Sequence, residues 1–328
     1  MRAEYSAGRE VPAQGSVFAY GAAAGLLADR LFGDPRRGHP VAAFGRAAGA
    51  VERVLWRDHR GWGALHAVVC AGGTAGAAAL VARGVRSRSA VSVALTAAVT
   101  WTVLGGTSLG REARAVGGAL AAGDVEVARE RLPHLCGRDP GALDEGQIAR
   151  AVVESVAENT SDAVVGALVW GALGGVPGLV AFRAVNTLDA MVGHRSPRLL
   201  RFGWASARLD DVAGWPGARL TAVLAAVAGG APARALEAVR RDAGRHPSPN
   251  AGPVEAAFAG ALGVRLGGTL AYGGRVEHRP VLGGGGRPVE VADIERAVRL
   301  SRRVGVLALG VCVGGRLLAG HLLGRRSR

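Results

Sequence analysis

Two charge-free apolar runs in close succession set the strongest limit on what this chain can fold into. Ala64–Ala82 contains His66 but no acid or arginine, and Ser89–Gly110 is uncharged throughout. Arg83, Arg86 and Arg88 occupy the short connector between them. About 20 apolar residues carry a helix across a bilayer, so the pair reads as two crossings. Hydrophobic residues make up 49% of the 328-residue chain but aromatics only 5%, so the apolar content is chiefly Ala, Val, Leu and Gly. Small residues allow close helix approach in lipid. A soluble Ala-rich bundle is the competing reading, and the paired runs favour the membrane. The expected fold class is all-α: a polytopic integral membrane helical protein with re-entrant or hairpin helices and cytoplasmic loops. One domain spans 1–328, with apolar segments near 16–31, 64–82, 89–110, 163–182, 218–231 and 304–320. The polar motif loops are 32–63, 111–162, 183–216 and 243–303. The first apolar segment reads as a signal anchor or first helix, because Arg2, Glu4, Arg9 and Glu10 make a poor positive leader.

The apolar stretch Ala163–Phe182 separates two polar clusters, Glu154–Asp162 and Arg183–Asp211. A straight crossing would leave them on opposite faces. Its centre reads Gly174-Gly175-Val176-Pro177-Gly178, a strong helix interruption. A helical hairpin or re-entrant pair is therefore expected, returning both clusters to one surface. Broken helices persist at membrane depth where they line a protein-buried or watery cavity. The loops flanking the 64–110 pair carry six arginines each and are placed together in the cytoplasm, at the cell membrane.

Glu154, Glu158 and Asp162 recur at four-residue steps, which stacks three carboxylates along one helix face. Such a face is either solvated or awaits a cation. Every basic residue among the 40 Lys+Arg is arginine. The missing lysine excludes a Walker A loop and Schiff-base catalysis. The net charge of +14 raises nucleic-acid binding, but scattered arginines and few aromatics for base stacking argue against it. Cys70, Cys136 and Cys312 form no CxxC pair, so neither a disulfide framework nor a structural zinc site is expected. Asp124–Arg131 reads as a short surface helix and His246–Gly252 as a rigid turn. Gly283–Gly286, with no strand recognised before it, reads as a flexible surface loop.

Five motifs in order resemble the CobD/CbiB family of cobalamin biosynthesis, the adenosylcobinamide-phosphate synthases. They are Leu27-Ala28-Asp29-Arg30-Leu31-Phe32-Gly33-Asp34-Pro35 with His39-Pro40-Val41 and Gly45-Arg46; Glu154 to Asp162; Asn186-Thr187-Leu188-Asp189; Phe202 to Asp211; and Ser248-Pro249-Asn250-Ala251-Gly252. Together they cover nearly the whole chain. The resemblance implies a membrane enzyme that joins the propionate carboxylate of adenosylcobyric acid to aminopropanol, or its O-phosphate, as an amide. Arg183 stands where the family suggests lysine, His194 where tyrosine is common, and Gly283–Gly286 where an acidic residue is usual. Condensing a carboxylate with an amine requires activation, and ATP with Mg²⁺ supplies it. Mg²⁺ takes oxygen ligands, commonly one or two carboxylates. Glu158, Asp162, Asp189, Asp210 and Asp211 are the candidate metal ligands; Glu154, Glu158, Asp162 and His39 the candidate catalytic residues. His39, whose kind titrates near neutrality, would take the ammonium proton. Asp34, Asn159, Ser161, Asn186, Arg195, Arg208, Ser248 and Asn250 are candidate substrate contacts, the arginines as phosphate clamps. Implied partners are the two substrates, the lipid bilayer, other cobalamin-assembly enzymes and a second copy of the chain. Two alternatives stay open. Asp210-Asp211 with Ala218-Arg219 is similar to part of a CDP-alcohol phosphotransferase motif, although the spacing fails. Broken helices also suit a small-solute transporter, although no internal repeat is found.

Overall fold

The structure, a computed structural model, describes residues 14–35, 37–137, 140–141, 143–272 and 275–326. The helices are α1 Gln14–Phe32, α2 Pro40–Leu55, α3 Arg60–Ala67, α4 Gly73–Gly84, α5 Ser89–Val103, α6 Gly106–Ala121 and α7 Val125–Arg131. There follow α8 Glu145–Thr160, α9 Gly166–Val192, α10 Trp204–Ala228, α11 Pro232–Asp242, α12 Ala251–Leu262 and α13 Ala292–Arg326. A π-helical turn, Val68–Gly72, joins α3 to α4, and another, Ser161–Val165, joins α8 to α9.

Among the described residues, four helical stretches are long and apolar enough to cross a membrane: Arg60–Gly84, Ser89–Ala121, Glu145–Val192 and Ala292–Leu322. Only 22% of the most apolar window is buried in three of them, against 56% in Glu145–Val192. Three therefore turn much of their apolar surface outward, as lipid contact requires, and the fourth runs inside the bundle. The 16–31 segment folds as α1, which packs closely on α5. A Cβ at Gly21 or Gly25 would lie 2.5 Å from Thr96 or Thr100 respectively, so only glycine permits that approach. Of the 218–231 segment, residues 218–228 are the C-terminal part of α10, with Ala218, Thr221, Ala222 and Ala225 buried against protein.

The interruption in α9 is a reversal. Gly175 adopts φ 65° and ψ −145°, a backbone region essentially reserved for glycine. A Cβ on Gly166 would come 2.2 Å from the ring of Phe182, and one on Gly178 would come 2.1 Å from the carbonyl oxygen of Trp170. Residues 166 and 182, and 170 and 178, are thus nested pairs about Gly174. The two arms lie antiparallel and in contact, the hairpin that the glycine–proline signal predicts.

One element departs from the all-α expectation. β1 Leu266–Tyr272 and β2 Arg275–Leu282 form an antiparallel ribbon, with a register shift between Leu266 and Gly268. A strand does precede Gly283–Gly286, correcting the reading of that run as a flexible loop. Gly283 N–H donates to Asp242 at 2.8 Å, and Gly286 N–H closes a turn onto Gly283 O at 2.7 Å. The surface helix expected at 124–131 is α7, capped by the Asp124 side chain.

Candidate active site at the open end of the hairpin

Nesting of the arms about Gly174 sets Asp162 level with Asn186. Asp162 lies in the π-helical turn before the first arm, and Asn186 follows Arg183 by one helical turn on the second. Arg183 donates to Asn186 Oδ1 (3.4 Å), and Asn186 Nδ2 donates to Asp210 Oδ1 (3.3 Å). α10, which carries Asp210 and Asp211, is fixed to the same hairpin. Trp170 Nε1 donates to Ala213 O at 2.8 Å, and Gly217 meets Gly166 with no room for a Cβ.

These placements gather charge. Glu158, Asp210, Asp189 and Arg183 are the charged groups facing Asp162, and Asp34 joins Asp162 in facing Arg183. Asp189 and Asp211 face one another, with His194 beside Asp189. Burial pushes the Asp210 carboxyl up to about 7; Asp189, Asp211 and Glu158 push the same way, and the Asn186 hydrogen bond opposes them. Asp34 is held by its loop. Gly33, at φ 66°, offers its carbonyl to Trp101 Nε1 at 2.8 Å, and Asp34 Oδ1 is buried with no hydrogen-bond partner among the described residues. Beside Arg183 opens an apolar cavity of about 470 Å³, walled by Pro40, Val41, Phe44, Val99 and Val180.

The structure therefore brings together Asp34, Glu158, Asp162, Asn186, Asp189, Asp210 and Asp211. It adds Arg183, which the sequence reading treated only as a retained positive charge. The signal was present: Arg183 is the first charge after the apolar stretch and lies one turn before Asn186, on the same face.

The remaining candidates make the following contacts. Glu154 is 3% exposed, accepts Gly267 N–H at 2.6 Å and lies 3.9 Å from Arg150 Nε. It anchors the ribbon and is not among the charges facing Asp162, which corrects the expected three-carboxylate face. Each four-residue step rotates the direction by roughly 40°, so Glu154 and Asp162 diverge by about 80°. The Glu154 end adjoins a second buried polar group, where His246 Nε2 lies 3.8 Å from Glu255 Oε1 and burial lowers the His246 pKa. His39 caps α2, its Nδ1 accepting from Val41 N–H at 3.2 Å. Ser248 Oγ accepts the N–H groups of Asn250 and Ala251, in the turn that leads into α12. Asn250 accepts from Arg219 at 3.0 Å and donates to Asp211 O at 2.9 Å, which braces the acid pair. Asn159 donates to Ser155 on its own helix. Ser161 is buried, its Oγ without a partner among the described residues. Arg208 is exposed and pairs with Asp211 at 3.2 Å, while Arg195 is exposed in the segment between α9 and α10.

Among the described residues, no three or more His, Cys, Asp or Glu are grouped closely enough to hold a metal ion by themselves. The donor set still fits Mg²⁺. That ion commonly takes one or two carboxylates with water and substrate phosphate completing the shell. Half-buried acids crowded together around the exposed Glu158, with Asp34 Oδ1 unpartnered among the described residues, are suited to a cation that arrives with phosphate.

The chain matches the family model described as CobD/Cbib protein over residues 22–301. It is 55% identical to the "Cobalamin biosynthesis protein CobD" of Mycobacterium tuberculosis (strain ATCC 25618 / H37Rv) over 292 residues, covering 87% of this chain and 92% of that protein. Proteins of the same name from Chromobacterium violaceum and Geobacter metallireducens are 44% and 43% identical. They cover 85% and 84% of this chain, and 90% and 89% of their own lengths. No solved structure matches the chain.

Proposed function

This chain belongs to the CobD/CbiB family, and from that premise we propose that it is the adenosylcobinamide-phosphate synthase of cobalamin biosynthesis. It joins the propionate carboxylate of adenosylcobyric acid to aminopropanol or its O-phosphate, with ATP driving amide formation. The observation that carries the reading is the meeting of both hairpin arms and α10 at Asp162, Asn186 and Asp210, with Arg183 between these acids and an apolar cavity.

Arg183 binds an oxyanion of the activated carboxylate or the phosphoryl group, which its planar fork suits. Asn186 holds Arg183 and Asp210 in register. One or two of Glu158, Asp162 and Asp210 would hold Mg²⁺ with water and substrate phosphate. The remaining acids, Asp189 and Asp211 among them, hold the amino-alcohol's ammonium by charge, and a carboxylate of the group takes its proton before the amine attacks. The bound ion would neutralise the polyphosphate during activation. The apolar wall beside Arg183 takes hydrocarbon from the substrates and keeps water from the acyl intermediate. The acid cluster faces the cytoplasm, where ATP is supplied.

Purified protein in detergent, given adenosylcobyric acid, the amino-alcohol and ATP with Mg²⁺, is expected to consume ATP only when corrinoid and amine are both present. ATP turnover indifferent to the corrinoid, CMP release from a CDP-alcohol, or solute uptake without chemistry would each overturn the assignment.

A further inference from the structure

The hairpin tip, at the far end from the acid cluster, borders a second cavity of about 500 Å³. Val17, Phe18 and Pro177 give it apolar walls, and Arg83, Arg86 and Arg316 line it with positive charge. No aspartate or glutamate lines it among the described residues.

Arg83 lies in the last turn of α4 and Arg86 in the connector to α5, where two membrane-length helices reverse. Arginines there meet the phosphate layer of a bilayer. Arg316 comes from α13 and donates to the Ala172 and Leu173 carbonyls, the last of the first arm. Its guanidinium lies 5.7 Å from the Phe18 ring centroid. Its Nε is buried without a hydrogen-bond partner among the described residues. Outside the cavity, Tyr20 on α1 is 69% and Leu80 on α4 70% exposed.

We propose that this cleft binds one anionic phospholipid, its phosphate among Arg83, Arg86 and Arg316 and its acyl chain along Val17 and the outer face of α4. Three arginines forming one lining are complementary to a phosphodiester. The apolar walls distinguish a lipid from a free anion, which would gain nothing from them. Occupancy links α4, the connector and α13 around the hairpin tip and so steadies the arms that carry the acid cluster.

The test uses the full chain in nanodiscs of phosphatidylcholine with or without phosphatidylglycerol, read by thermal unfolding and by native mass spectrometry of retained lipid. Phosphatidylglycerol is expected to raise the unfolding midpoint and to be retained as one molecule. The R83Q/R86Q double variant should lower retention roughly tenfold or more and abolish the shift. R83K/R86K should keep most of both. R88Q removes a nearby charge that does not line the cavity and should behave as wild type. Equal retention and an equal shift in R83Q/R86Q would overturn the proposal. So would an equal shift produced by inorganic phosphate in phosphatidylcholine alone, which would assign the arginines to a soluble anion.

Discussion

At the scale of single residues, the acids that looked alike in the chain separate by what they touch. Asp162→Asn and Glu158→Gln are expected to reduce amide formation by at least about 100-fold while the protein still inserts and unfolds at its usual temperature. Glu154→Gln should instead lower stability by about 1–3 kcal/mol, because a buried carboxylate beside Arg150 and the Gly267 N–H loses its charge. Near-normal turnover in both Asp162→Asn and Glu158→Gln would reduce the cluster to a structural one. Arg183→Lys should retain measurable activity and Arg183→Gln should not, since the oxyanion needs a cation there. Asp242 gives a pH signature outside the membrane helices. Its hydrogen bonds from Arg241, with Gly283 N–H also contributing, hold its carboxyl below the ordinary 3.8. The folded state therefore binds its proton less readily than the unfolded state. The stabilisation is complete above about pH 4 and is lost as pH falls through the lowered value. Asp242→Asn should flatten the acid limb of the stability curve, measured by thermal unfolding across pH. Roles resting on chain-distant partners were not legible in the sequence. Nothing in the neighbours of Glu154 announces a strand 113 residues away that takes its carboxylate, and Asn250 gives no local sign that Arg219 and Asp211 occupy it.

At the scale of elements, the hairpin was legible because glycine and proline act on the backbone locally, whatever the rest of the fold does. Gly174 and Gly175 make a matched test. A Cβ at either meets nothing within 4 Å, but only Gly175 has a positive φ. Gly175→Ala should cost about 1–3 kcal/mol and Gly174→Ala little, measured by unfolding in detergent. Gly178→Ala should be worse than either, because its Cβ strikes the backbone of the opposite arm rather than a side chain that can move. Equal stability of the Gly178 and Gly174 variants would show that the arms do not touch. The β1–β2 ribbon was not legible. Gly267 and Gly268, both at positive φ, break the alternation that identifies a strand, and at these two glycines the ribbon meets Glu154 and Arg150.

At the scale of the whole molecule, the hairpin has one end among acids and the other among arginines, with apolar helices between. That polarity predicts orientation. An impermeant thiol reagent should label Ser87→Cys in intact cells, and His194→Cys only after permeabilisation; the reverse pattern would turn the acid cluster outward. The proposed chemistry depends above all on the two arms returning to one level. Spin labels at Glu158→Cys and Ala190→Cys, in a background lacking Cys70, Cys136 and Cys312, measure this by double electron–electron resonance. Folded arms packed side by side predict a distance of roughly 10–20 Å, set by helix spacing and label length. A straight helix over the same 32 residues would place the labels about 48 Å apart and contradict the account.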